Sequence, residues 1–324
     1  MSDNATASAP SQQAETIPTP NPPLRWRAVS ALSRFYPLKS GCAKFALNSK
    51  MRALVGPYDG FIWSRGPFGV RILAPSNDYV GRVVYFSGDL DPKITWQCRR
   101  LVRPGDTVLD IGANVGLVTM ILSRLVGPAG AVHAFEPNPN LHRLLDQTLP
   151  ANGATNVTLH RCALGEAPGE LTLTVPRGNT GGASLVTNRL PADRVEYTTT
   201  VPVKRLPDAL GSVAPIRFVK IDVEGFEGEV LRGAADLFRE SPPDAILFEV
   251  NRYDGRAGDH PAFAALIDHG YRFFAIPRTF VRVRPRVMSL DEQIDPLGCD
   301  ALAVSAQAVR DIAKRIGASG TPHA

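Results

Sequence analysis

From Asp106 onward, apolar residues fall into short unbroken runs separated by stretches with helical spacing. TVLDIG, AVHAFE, VTLHRCALG, IRFVKID, DAILFEV, YRFFAIP and ALAVS read as buried strands. Between them, Val118, Ile121, Leu122 and Leu125 recur at i, i+3, i+4 and i+7, one face of a helix. PNLHRLLDQTL, FEGEVLRGAADLFRE and PAFAALIDHG carry helical patterns as well. Such alternation predicts an α/β fold, a mainly parallel sheet with helices on both faces. Ligands of these sheets lie beyond the carboxyl ends of the strands. The residues closing the runs are therefore the first candidates for chemistry: Asp110, Glu136, Cys162, Asp222 and Glu249. Four of them are acids, so the site is expected to be rich in carboxylates.

One gap breaks the rhythm. Residues 163–215 form a connection far longer than the roughly 2 to 6 residues usual between such elements. It needs structure of its own, and GELTLTV and EYTTTVPV read as strands flanking the glycine-rich PRGNTGGASL. A β-flap results, either a lid over the site or a cover for a sheet edge. Upstream, residues 24–100 form an extension. Its first part, to about Leu54, alternates basic and apolar residues and is read as a helical cap on the main domain, with a membrane-surface element as the alternative. Residues 69–87 read as strand, turn, strand. The polar segment 1–23 is expected to be a disordered tail, 101–310 the main domain, and 311–324 a C-terminal tail.

Composition narrows the class. The 324 residues are 44% hydrophobic, ample for a core, and no run approaches the roughly 18 apolar residues of a membrane span. The N-terminus lacks the apolar stretch of a signal peptide, and four widely spaced cysteines suit reduced thiols, so a cytoplasmic location is expected. A net charge of +5 is too small and dispersed to indicate nucleic acid.

The turn closing the first run, DIGANVG, holds Gly112 and Gly116 in a G-x-x-x-G spacing preceded by Asp110. It is not the G-x-G-x-x-G of a pyrophosphate cradle, and an acid there would repel a pyrophosphate. An amino-acid ligand, with one ammonium and one carboxylate, suits it better. Glu136 ends the second run at the distance where an acid holds ribose hydroxyls. Amino acid plus ribose points to S-adenosylmethionine.

VLDIGANVG, VHAFEPNP, ALGEAPGELTL, GNTGGASL and above all VKIDVEGFEGEVLRGA together resemble the FkbM family of S-adenosylmethionine-dependent methyltransferases, over about Gly88 to Glu249. The resemblance implies a Rossmann-like class I methyltransferase fold with a seven-stranded sheet that ends in an antiparallel strand. It implies methyl transfer mostly to hydroxyl oxygens of glycans and natural products. It places Asp110, Gly112, Asn114 and Gly116 at the methionine end, Glu136 at the ribose, and Cys162 and Ala163 beside adenine. GDLDP at 88–92 has Asp91 where the family usually has Glu, and Leu117 replaces a common aromatic residue.

A hydroxyl acceptor must be aligned with the methyl group and lose its proton. Asp222 is the candidate base and Glu224 a second carboxylate or acceptor clamp; the competing reading is that Glu224 and Glu227 cap the following helix. Magnesium is a rival use for Asp222 and Glu249, but no third ligand stands out and no metal is expected. Lys220 can neutralise Asp222, and His260 is read as a surface residue rather than a base or ligand. The expected partner is a small-molecule or glycan acceptor. A nucleic-acid methyltransferase is the alternative, without a base-clamping tetrad or a basic aromatic surface to support it. A non-catalytic binding module is the other, opposed by intact Asp110, Glu136 and Asp222.

Overall fold

The computed structural model describes residues 16–33, 46, 48–187, 189–250, 253–277, 283–294 and 299–318. Helices α1 (Leu24–Ser33) and α2 (Ser49–Val55) lead into an antiparallel pair, β1 (Phe61–Arg65) and β2 (Arg71–Pro75). Two further helices follow, α3 (Tyr79–Ser87) and α4 (Pro92–Leu101). Trp26 is fully buried among Val55, Ile62, Val83 and Phe86, so the extension has an apolar core of its own. The described helices of the segment read as a cap pack on this extension's own core, and residues 34–45 and 47 of that segment lie outside the described part.

The main domain alternates β3 (Thr107–Ile111), α5 (Leu117–Val126), β4 (Ala131–Phe135), α6 (Pro139–Ala151) and β5 (Val157–His160). A three-stranded flap then forms from β6 (Ala163–Leu164), β7 (Gly169–Pro176) and β8 (Val195–Lys204), in the order β6-β8-β7. After α7 (Leu206–Leu210) come β9 (Ile216–Ile221), α8 (Glu227–Gly233), α9 (Ala235–Glu240) and β10 (Ala245–Val250). The described chain closes with α10 (Pro261–Ile267), β11 (Arg272–Ile276), β12 (Arg286–Val287), β13 (Cys299–Val304) and α11 (Val309–Ile316).

The large sheet runs β12-β11-β13-β10-β9-β3-β4-β5. Strands β5, β4, β3, β9 and β10 pair in parallel, and β13 lies antiparallel between β10 and β11. That is the seven-strand class I methyltransferase order, with the two-residue β12 added at the edge. Its two faces are covered by separate apolar clusters, one built around Val108, Met120, Ile121 and Leu144, the other around Leu109, Val219, Phe248 and Phe263. Strands buried on both faces explain the unbroken apolar runs.

Several expectations need correction. Residues 79–87 are helix, not strand. Asp78 caps it by accepting from the N–H groups of Val80 and Gly81, and Gly81 lies so close to Pro75 that a Cβ would sit 1.9 Å from its carbonyl oxygen. Residues from Val80 to Phe86 are all buried, which erases the polar face that would have marked a helix. The segment 1–23 is not wholly a tail, because Ile17 packs into the core and Pro20 accepts from the Tyr58 hydroxyl at 2.9 Å; residues 1–15 lie outside the described part. Nor does a C-terminal tail begin at residue 311, since Ile312 and Ile316 are buried on α11.

Candidate active site

The carboxyl ends of β3, β4, β9 and β10 open into a cavity of about 360 Å³. Its floor is the turn after β3. Gly112, Asn114 and Gly116 adopt φ of 83°, 51° and 86°, so three residues in five are left-handed. The turn is hung on the next strand, with the N–H groups of Gly112 and Ala113 both donating to the Phe135 carbonyl. Gly112 also presses on the segment after β9, where a Cβ would lie 1.9 Å from the Asp222 carbonyl oxygen. Only glycine permits both the conformation and the approach. Asn114 tolerates its conformation because its side-chain oxygen accepts from the N–H of Val115 at 2.8 Å.

Glu136 enters the cavity from the end of β4. One carboxylate oxygen accepts from the N–H of Asn114 at 2.7 Å, the other from that of Asn138 at 2.8 Å. Burial pushes its carboxyl up to about 7, against the pull of those two hydrogen bonds. Each oxygen keeps a lone pair for a ligand hydroxyl. Cys162 and Ala163 line the same end, with burial raising the Cys162 thiol above its ordinary value.

Asp110 and Gly116 do not line the cavity. Asp110 is fully buried beneath the turn, where Thr119 donates to one oxygen and the Lys220 ammonium stands 3.2 Å from the other. Lys220 also donates to the Gly112 carbonyl at 2.9 Å and lies 3.7 Å from Asp222. Burial alone would lower its basicity, but Asp110 and Asp222 outweigh burial and push it up to about 12. Gly116 packs under the turn against Leu145.

The far end of the cavity is acidic. Asp222, Glu224 and Glu249 place oxygen atoms within 4.8 Å of one another. Asp222 is the exposed member of the three. Glu224 pairs with Arg189 at 2.7 Å, and burial followed by Asp222 raises it to about 7. Glu249 is pushed up to about 9, by burial first and then by Asp222 and Glu224, all of which favour its protonated form. Glu224, read from the sequence as a second carboxylate or acceptor clamp, joins Asp222 and Glu249 as a third oxygen donor, and the group has the spacing to accept a divalent cation. Neither glutamate caps α8 from its N-cap position. Glu224 faces the cavity in a left-handed conformation (φ 56°), while the buried Glu227 ties the preceding turn by accepting from Val223 and Gly225. His260 is not a surface residue either: it is buried, and its Nδ1 accepts from Ala262 to cap α10.

The flap, Asp91 and an acid that sequence reasoning missed, Asp300, complete this end. The flap contributes Asn179, Thr180, Gly181, Ala183 and Leu185. Thr180 donates to Asp78 through its N–H (2.6 Å) and its hydroxyl, and Ser184 donates to the Glu224 carbonyl at 2.7 Å. Asp91 and Asp300 also line the cavity, joined by the buried Lys93. Asp91 caps α4 by accepting from the Lys93 N–H at 2.9 Å, which accounts for GDLDP. The register sets Asp300 beside Glu249, a neighbour that no local pattern announces.

A family model described as the methyltransferase FkbM domain matches residues 110–273. Methyltransferase 1 of Beauveria bassiana (strain ARSEF 2860) is 33% identical over 151 residues, 41% of this chain and 60% of the relative. The 31-O-demethyl-FK506 methyltransferase FkbM of Streptomyces tacrolimicus is 31% identical over 206 residues, 54% of this chain and 75% of its own length. Among solved structures, methyltransferase FkbM from Methylobacillus flagellatus KT is similar at 15% identity and a TM-score of 0.38, over 69% of this chain and 53% of that one. The chain therefore spans only 60% of the Beauveria relative and about half of the solved one.

Proposed function

The chain belongs to the FkbM methyltransferase family, and from that premise we propose that it methylates a hydroxyl oxygen of a glycan, a sugar or a small natural product. S-adenosylmethionine is the methyl donor of the family, and the residues present fit it. The floor is a glycine cradle that a Cβ at position 112 would fill. Glu136 retains acceptor capacity for ribose, and the first turn of α5 has no side-chain cap to compete with a carboxylate. Bound there, the donor supplies a methyl group made electrophilic by a positively charged sulfur.

The observation carrying the oxygen-directed reading is the exposed carboxylate of Asp222, a cavity-lining residue that directly follows β9 and whose backbone carbonyl presses on Gly112 of the turn. Asp222 is the exposed acid of the three and its Lys220 contact is the longer one at 3.7 Å, against 2.7 Å between Glu224 and Arg189, which favours Asp222 as the group that takes the acceptor's proton. Glu224, facing the same space, clamps the acceptor. Asp222→Asn keeps the shape and removes the proton acceptor, so kcat should fall roughly 10²- to 10⁴-fold while donor affinity changes far less. The acceptor class is tested by incubating the protein with methyl-labelled donor and fractionated glycans, lipids and nucleic acids. Label in nucleic acid, or kcat near wild type in Asp222→Asn, would refute the respective assignment. Among the described residues no helix is long and apolar enough to cross a membrane. A cytoplasmic site of action is part of the proposal and is supported by the scattered cysteines.

A further inference from the structure

Lys220 moves no proton in the chemistry above, yet it donates to the glycine turn and stands beside the proposed base. It sits on β9 directly opposite Asp110 on β3, nearly buried, and its ammonium spans three groups: the Gly112 carbonyl, Asp110 and Asp222. Asp110 Oδ1 has no hydrogen bond beyond this ion pair. Counted with both acids ionised, these three side chains carry two negative charges and one positive charge, a sum of −1 where the glycine turn meets the acidic end of the cavity; without the lysine the sum is −2.

The donor and its demethylated product differ in one charge. S-adenosylmethionine carries a sulfonium that S-adenosylhomocysteine lacks, and every other polar group is shared. A change in the fixed charge of the pocket therefore separates the two ligands through that sulfonium. We propose that Lys220 sets the charge preference of the donor pocket, balancing Asp110 and Asp222 so that the cationic donor is not held far more tightly than the neutral product. It acts as a positioning residue through the turn and the two acids. The inference rests on the donor alone and is independent of which acceptor is methylated.

The test is calorimetric titration of the full chain with S-adenosylmethionine and, separately, with S-adenosylhomocysteine. Lys220→Gln replaces the ammonium with a neutral amide that can still donate a hydrogen bond, and it should raise the ratio of donor to product affinity roughly 3- to 30-fold. Lys220→Arg restores the charge and should return the ratio towards wild type. Asp222→Asn removes one negative charge from the same group at an exposed position and should lower the ratio. Equal losses for both ligands in a folded Lys220→Gln protein, with the ratio unchanged, would reduce Lys220 to a structural strut and overturn the proposal. If Lys220→Gln fails to fold by circular dichroism, Asp222→Asn decides: an unmoved ratio there overturns it as well.

Discussion

Glu136 shows how one residue can be legible in kind and hidden in behaviour. Its place at the end of an apolar run marks it as a ligand-facing acid, but its proton affinity follows from burial and two backbone hydrogen bonds that no sequence pattern displays. With its carboxyl near 7, the free protein holds it partly protonated at neutral pH. Ribose hydroxyls donate to the ionised form, so donor binding favours proton release. Affinity for S-adenosylmethionine should rise as pH increases from 6 to 8, by up to about tenfold, and level off above. Glu136→Gln should abolish the component due to this group, and Glu136→Ala should weaken binding by about 1 to 3 kcal/mol. Calorimetry at three pH values checks all three outcomes. Asp110 illustrates the opposite case. It was conspicuous as the acid before a glycine turn, yet it lies under the floor and reaches the site through Thr119 and Lys220.

At the scale of elements, strands buried on both faces were readable as runs, and α5 as a stripe. The helix Tyr79–Ser87 was not, because β-branched and aromatic residues buried all round give no polar face, and its cap at Asp78 matters only once the chain has turned back. That same aspartate receives the flap through Thr180 while holding the first turn of α3. Asp78→Ala removes the cap and the staple together, and should cost about 1 to 3 kcal/mol in urea unfolding. Shortening GNTGGAS at 178–184 addresses the flap alone. If the loop closes over the acceptor, the acceptor's KM rises or kcat falls while donor affinity is nearly intact. Equal loss of both affinities would make the loop a cover for the fold. The three acids of the cluster were each legible as candidates, Asp222 just after β9, Glu224 two residues on and Glu249 near the end of β10, but the left-handed turn that brings Glu224 to the other two was not.

In the whole molecule, the extension and the sheet meet at Lys93, buried between Asp91 of the extension and Asp300 of β13. Removing one partner of such a group strands a buried charge. Lys93→Met should therefore destabilise the protein by about 3 to 5 kcal/mol, and adding Asp300→Asn should recover part of the loss in a double-mutant cycle. The cavity's acids already have cationic neighbours in Arg189 and Lys220, so turnover should persist in excess chelator. Abolition by chelation and recovery with magnesium would instead make Asp222, Glu224 and Glu249 its ligands. The antiparallel strand β13 has a consequence for biosynthesis. It is made after β10 and β11 but belongs between them, so each emerges with a hydrogen-bonding edge bare and waits for a later part of the chain. Until Cys299–Val304 has left the ribosome, β10 and β11 cannot be joined and the sheet stays split, a stage at which exposed strand edges call for protection by chaperones.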